Sequence, residues 1–551
     1  MDSKKIFEER NKLYENIDKD ENNFSNERIE TKLSLRKQKF YEILSKKRLI
    51  TYNTVITNKE KLSKWKLPYN ITKFEFPKEF LDKHKLNLDK YDPDEIISLS
   101  LKLFKSDNID DIKYSIILLQ IFINGHMNSD LTNYINLLFI YDLFNLIEKY
   151  NKEKQIIFNI LYIISNYSYI NTNNGLSIIL LSPNAYKKWE LCFNLQDYEI
   201  LEAIINILNN IINENQIAGC NLIRSSFLQT NLYNFFMNQV IVSKVNNIEK
   251  EDFIYTLIDE GINLFCHLLL IPTDKLDRLT IEEIFICKQK VINVLIHYCN
   301  CNSKEKYHKC IFSISTALEK ERRLFDELDK NNFVQNLLKN KKFFENQKIS
   351  HFVNKIIGNY LAYKLKVNYN FLVDVIKFEI EYLNMNVNNN YYRKEIFWTL
   401  SNVVKSDENI YNEILNNEDF IKRIIDCYKN TIYHSEIVEI TYLFCLLLHR
   451  CNIKQFMIIE KNNLLQIAAN YAKNVLENNV NGLYIALELF EIYFEHGRIL
   501  EQYFDNKNIV VDKFNKIGGK ELLEKFRCYP NEKICEEIEY LLKEFYNVKN
   551  K

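Results

Sequence analysis

Six apolar segments carry polar or aromatic residues four positions apart: Tyr162 with Asn166, Asn206 with Asn210, Phe312 with Thr316, Lys355 with Asn359, Trp398 with Asn402, and Tyr442 with Leu446. On a helix such pairs lie on one face, one turn apart. Asparagine can hold a peptide's backbone N–H and C=O, and an indole face can pack a lysine or arginine stem. The chemistry on offer is recognition: asparagines to hold an extended backbone, aromatic walls to select long basic side chains. Taken singly, each pair has a plainer reading, with Trp398 and Tyr162 as core aromatics and the asparagines as polar residues next to turns. Recurrence decides between the two.

The pairs recur at a fixed interval. Asn210 follows Asn166 by 44 residues, Asn359 follows Thr316 by 43, Asn402 follows Asn359 by 43, and Leu446 follows Asn402 by 44. The 106 residues from Asn210 to Thr316 leave room for one further unit, placed near Asn263–His267, and an insertion of about 20 residues. A period of 43–44 falls in the range of two- and three-helix repeats, about 40–47 residues. Units of that kind cannot bury their apolar faces alone, so stacking makes one continuous core. The pairs then form a ladder along the inner surface.

Composition agrees. The 551 residues include only 9 Gly and 6 Pro, roughly 1–2% each against about 7% and 5% in ordinary proteins. Tight strand turns and phosphate-cradling loops need residues that tolerate positive φ. So few glycines weigh against sandwiches, barrels and doubly wound nucleotide folds and in favour of an all-helical chain whose turns close on Asn and Asp. With 47% apolar residues the bulk of the chain is globular. Lys+Arg 73 against Asp+Glu 73 leaves no net field to draw the whole molecule to nucleic acid or lipid. No apolar run approaches 18 residues, and Met1-Asp2-Ser3-Lys4-Lys5 lacks both an apolar signal core and an acceptor glycine. Twelve cysteines scattered through apolar runs fit reduced buried thiols in an intracellular protein.

Three regions follow: a charged segment 1–50, a linker 51–95 holding Pro68, Pro77 and Pro93, and a solenoid 96–551. Within the first, Arg28, Lys32, Arg36, Lys37, Lys39, Lys46, Lys47 and Arg48 stand against Glu30 and Glu42. This reads as a basic helix of about six turns, unlikely to fold alone and suited to an acidic concave partner. A solvated helix or a nucleic-acid arm are the alternatives on composition alone.

The sequence resembles the importin-α (karyopherin-α) family, as a divergent member, over about residues 10–549. Lys394-Glu395-Ile-Phe-Trp398-Thr-Leu-Ser-Asn402 is similar to that family's Trp-x-x-x-Asn repeat helix. Lys355-Ile-Ile-Gly-Asn359 resembles the repeat in which a basic residue replaces Trp. The stretches Lys516–Phe526 and Asn531–Tyr546 resemble the family's final repeat, and Leu35-Arg36-Lys37-Gln38-Lys39 with Lys46-Lys47-Arg48 resembles its importin-β-binding segment.

The resemblance implies an all-α, right-handed superhelical armadillo solenoid of about ten repeats, preceded by an importin-β-binding segment. It implies a nuclear import adaptor shuttling between cytoplasm and nucleus. Its partners would be importin-β, proteins with Lys/Arg-rich nuclear localisation signals, and a recycling exportin with Ran, with no nucleic acid and no membrane insertion. Importin-β would bind the eight basic residues between Arg28 and Arg48. Lys46, Lys47 and Arg48 would also act as an autoinhibitory mimic of a cargo signal, which the 51–95 linker is long enough to fold back.

On the same grounds the smaller cargo site would comprise Lys355, Asn359, Glu395, Trp398, Asn402, Glu439 and Tyr442. The larger one, degenerate, would comprise Tyr162, Asn166, Asn206, Asn210 and Glu214, with no Trp among them. Each missing wall forfeits about 0.5–2 kcal/mol of cation–π or stem contact, so basic peptides are expected chiefly at the C-terminal half. The alternative is an armadillo scaffold that has lost cargo binding and holds other proteins.

No enzyme is expected. Walker, G-x-G-x-x-G, H-E-x-x-H and G-x-S-x-G motifs are absent. Cys299, Cys301, His308 and Cys310 are spaced unlike common zinc sites, so buried thiols are expected there and neither metal nor cofactor is called for. Trp189 reads as core and Trp65 as part of the linker.

Overall fold

A computed structural model of the chain describes residues 76–84, 93–125, 135–170, 174–246, 252–273, 276–300, 307–340, 347–364, 367–385, 390–407, 409–474, 480–501 and 508–546. Every regular element among them is helical. The chain divides into two compact units, residues 1–92 and 93–551. In the first, the described part is one helix, Lys78–His84, with Phe76 and Phe80 stacked at 5.3 Å between ring centroids. The expected 51–95 linker thus contains a helix, while Trp65 and the basic residues from Arg28 to Arg48 lie outside the described residues. The second unit opens at Pro93, whose fixed φ suits a first helical turn.

Among the described residues, ten helices form the spine of this second unit: α1 Ile109–Gly125, α2 Lys154–Ile170, α3 Tyr198–Glu214, α4 Asp252–Leu269, α5 Tyr307–Lys320, α6 Gln347–Tyr363, α7 Asn390–Ser406, α8 His434–Leu448, α9 Val480–Glu501 and α10 Glu532–Tyr546. Each packs on the next in the series. The remaining helices back this spine: Leu137–Lys149 lies on α2, Tyr369–Met385 on α7, and Glu418–Asn430 on α8.

Caps and turns show how a glycine-poor chain manages this. Asn136, Asn417, Asn452 and Asn508 accept from the first backbone amides of their helices, and Asn452 forms a reciprocal capping box with Gln455. Each such cap stabilises its helix by about 1 kcal/mol. Left-handed turn positions fall to Asn332 (φ 49°) and Asn463 (φ 61°) as well as Gly518 (φ 77°).

The core runs between neighbouring spine helices. In α7, Ile396, Phe397, Leu400, Val403 and Val404 are fully buried, and in α8 so are Ile440, Leu443, Phe444 and Leu447. Burial of each such side chain stabilises by about 1.5–3 kcal/mol. Trp189 is fully buried, its indole N–H donating to Leu180 O at 2.8 Å and its ring against Phe144.

The long gap between Asn210 and Thr316 holds one spine helix, α4. The extra length is taken by a π-helical turn Phe227–Leu232 that runs on into the helix Tyr233–Asn246, and by the 23-residue helix Arg278–Asn300.

Candidate functional site

All seven expected pairs fall on consecutive spine helices, from Tyr162 and Asn166 on α2 to Tyr442 and Leu446 on α8, with Asn263 and His267 on α4. Of these fourteen residues, thirteen are half-buried and Asn402 alone is buried, so they border the core without belonging to it. Most of them contact residues of the neighbouring spine helix, as the following contacts show.

Between α2 and α3, the Asn210 amide donates to Ser168 Oγ at 3.0 Å and to Ser165 O at 3.4 Å. Burial raises the Tyr162 phenol above its usual range, and the Asn166 amide one turn on partly offsets this. Glu214 is the last residue of α3, and its side chain lies outside the described ones.

Between α4 and α5, Lys309 reaches back onto the fourth pair. Its ammonium donates to Asn263 Oδ1 at 2.8 Å and to His267 Nε2 at 3.2 Å. Phe312 then meets Phe352 of α6 edge to face at 5.1 Å, and Lys355 pairs with Glu319 of α5 at 2.5 Å.

Between α6 and α7, the Trp398 indole lies against Gly358, and the Asn402 amide donates to Gly358 O at 3.3 Å. Thr399 bonds Asn354 Oδ1 at 2.7 Å beneath them. Glu395 and Glu439 are half-buried one turn before Trp398 and Tyr442 respectively. Between α7 and α8, the Lys405 ammonium sits 4.7 Å from the centre of the Tyr442 ring. The same two helices are joined by a buried two-point ion pair between Arg393 and Glu436, at 2.6 and 3.1 Å, with the Thr431 hydroxyl donating to the carboxylate at 2.6 Å.

The structure therefore brings Lys355, Asn359, Glu395, Trp398, Asn402, Glu439 and Tyr442 onto three adjacent helices, α6 to α8. Lys309 and Lys405 were not anticipated. The position of Lys309 carried a signal: it follows His267 by 42 residues and Asn263 by 46, close to one repeat, and the side chains of Arg393 and Glu436, 43 residues apart, meet in the same way.

The cysteine cluster resolves as buried thiols where it is described. Cys310 is fully buried, and burial, together with the neighbouring Cys299, holds its thiol well above the usual range; Cys301 lies outside the described residues. Among the described residues no group of three His, Cys, Asp or Glu side chains is placed to hold a metal. No described helix is long and apolar enough to cross a membrane. A cavity of about 620 Å³, lined by Tyr186, Asn215, Arg224 and Glu283 among others, contains none of the paired residues.

No family model matches the chain, and no curated protein matches it. Among solved structures, an engineered protein superposes with a TM-score of 0.56 at 10% identity, over 83% of this chain and 99% of that one. The fold is an armadillo-type all-helical solenoid. Two further structures are less similar. One comes from the interaction between cadherin and beta-catenin (TM-score 0.47, 10% identity, 85% of this chain and 94% of that one). The other is of Kap95p with RanGDP (TM-score 0.43, 8% identity, 81% and 57%). At such identities the likeness is one of fold.

Proposed function

We propose that this solenoid binds extended basic segments of other proteins along the α6–α8 part of its inner face. The observation that carries this is the Trp398/Asn402 pair, with Glu395 beside it and the Tyr442 ring already holding a lysine ammonium at 4.7 Å. That internal contact supports the view that the Tyr442 wall suits a cation, since an ammonium within about 6 Å of a ring centre is attracted by its face. Trp398 would take the stem of a lysine or arginine, Glu395 and Glu439 its charge, and Asn359 the peptide backbone.

The finer reading is a nuclear import adaptor of importin-α type. It rests on the resemblance of residues 394–402, 355–359 and 516–546 and of the basic segment 28–48. Under it, importin-β takes the basic segment, cargo carries a localisation signal, and the protein shuttles between cytoplasm and nucleus with the help of an exportin and Ran.

A second reading, a scaffold without cargo binding, is favoured by one observation. The amides of Asn210 and Asn402 are spent on neighbouring helices, and Lys309 fills the fourth pair.

Titration of a fluorescein-labelled bipartite Lys/Arg peptide onto the full chain separates the two. Trp398→Ala should weaken binding about 2- to 30-fold, the range of a lost cation–π or stem contact, and Glu214→Arg should weaken it less. An equal or larger loss on Glu214→Arg overturns the C-terminal assignment. No saturable binding by the wild-type chain leaves the scaffold.

A further inference from the structure

The fourth pair is built around an ammonium. Asn263 Oδ1 and His267 Nε2 both accept from Lys309 Nζ, at 2.8 and 3.2 Å. Asn263 is held in that orientation by its own amide, which donates to Glu260 Oε2 at 2.9 Å. The three residues sit at 260, 263 and 267 of α4, on one helix face, while the ammonium arrives from α5. The surroundings favour a cation. Glu202 of α3 is held above the usual carboxylate range by burial and then by the charges of Glu260 and Glu199. Lys309 is half-buried, and its ammonium already occupies the acceptors of both members of this pair.

We propose that Glu260, Asn263 and His267 form a socket for a primary ammonium, and that Lys309 is its resident ligand, which a lysine of an incoming peptide must displace. This rests on the reading of the inner face as a binder of basic peptides and adds a regulatory element to it. The socket is closed in the unliganded protein, so a peptide's register is set by the Trp398 region, and the fourth pair is engaged only by competition. Lys405, an exposed lysine, likewise holds its ammonium over the Tyr442 ring, on a wall the peptide also needs.

The test uses the full chain, wild type and Lys309→Ala, with n-butylammonium chloride as a lysine side-chain probe and the labelled bipartite peptide as ligand. Lys309→Ala should gain a saturable rise in Tm with n-butylammonium that the wild type lacks and that neither tetramethylammonium nor sodium reproduces. Adding Asn263→Ala should abolish it. Lys309→Ala should also bind the peptide about 10-fold more tightly, because a charged hydrogen-bonded competitor has been removed. If the alanine variant does not fold, Lys309→Met keeps the stem and serves instead.

An identical n-butylammonium response in wild type and variant overturns the socket. The two readings fail separately. Peptide binding that falls on Trp398→Ala but is unmoved by Lys309→Ala, with no selective n-butylammonium effect, removes the socket and leaves the groove. A selective n-butylammonium effect with no peptide bound by any variant keeps the socket and removes the groove.

Discussion

The Trp398 indole occupies the space that a side chain at Gly358 would need: a Cβ there would collide with the ring and lie 2.7 Å from Thr399 Oγ1. Glycine at 358 is thus a condition for the placement of Trp398, one helix away on α7. The same backbone receives the Asn402 amide, so a single residue of α6 seats both members of the pair.

Gly358→Ala should therefore displace the indole. Overpacking of this kind costs about 1–3 kcal/mol, offset by up to about 1 kcal/mol from alanine's better helix propensity. The expected result is a net loss of stability in urea unfolding, with weaker binding of the labelled basic peptide. Retention of wild-type stability and affinity would show that Trp398 has other room to move.

How far the sequence reveals this arrangement depends on what kind of fact is asked for. The pairs were legible because recurrence at 43–44 residues survives loss of any one residue type, and the 106-residue gap it left between Asn210 and Thr316 pointed to a further unit near Asn263–His267. The roles of Lys309 and Lys405 were not. A lysine three residues before or after a pair has the same local pattern whether its ammonium points to water or to the next helix. Glu379 was invisible for a related reason. In Phe378-Glu379-Ile380-Glu381 it reads as one of two solvated acids, yet it is fully buried while Glu381 is exposed. Side-chain direction is decided by the neighbouring repeat, which a local pattern does not contain.

Glu379 predicts a pH dependence. Neither carboxyl oxygen has a hydrogen-bond partner among the described residues, and its pKa is raised well above the usual value, first by burial and then by the charge of Glu395. A carboxyl raised in the folded state favours folding fully below its unfolded pKa, about 4.3, and this contribution is lost as pH rises through the folded value. Each unit of separation is worth about 1.4 kcal/mol. Glu379→Gln should thus match the wild type in Tm near pH 4 and exceed it increasingly toward pH 8. Parallel Tm–pH curves for the two proteins would refute this, and Glu395→Gln should flatten the wild-type curve in part.

The buried Arg393–Glu436 pair makes the last prediction, because it ties together α7 and α8, the helices that carry Trp398 and Tyr442. Arg393 is 4% exposed and Glu436 fully buried, with Thr431 completing the carboxylate's bonds. Removing one partner leaves an uncompensated buried charge, at a cost of about 3–5 kcal/mol, whereas replacing both by apolar residues of similar volume is often close to neutral. Arg393→Met alone should therefore be strongly destabilising in urea unfolding, and Arg393→Met with Glu436→Leu should recover most of that loss. Peptide affinity separates the structural role from the functional one. If the pair only supports the fold, the double variant binds the basic peptide as the wild type does. If its rigid geometry sets the spacing of Trp398 and Tyr442, affinity stays reduced even where stability returns. The contact between Lys405 and Tyr442, which spans the same two helices, favours the second outcome.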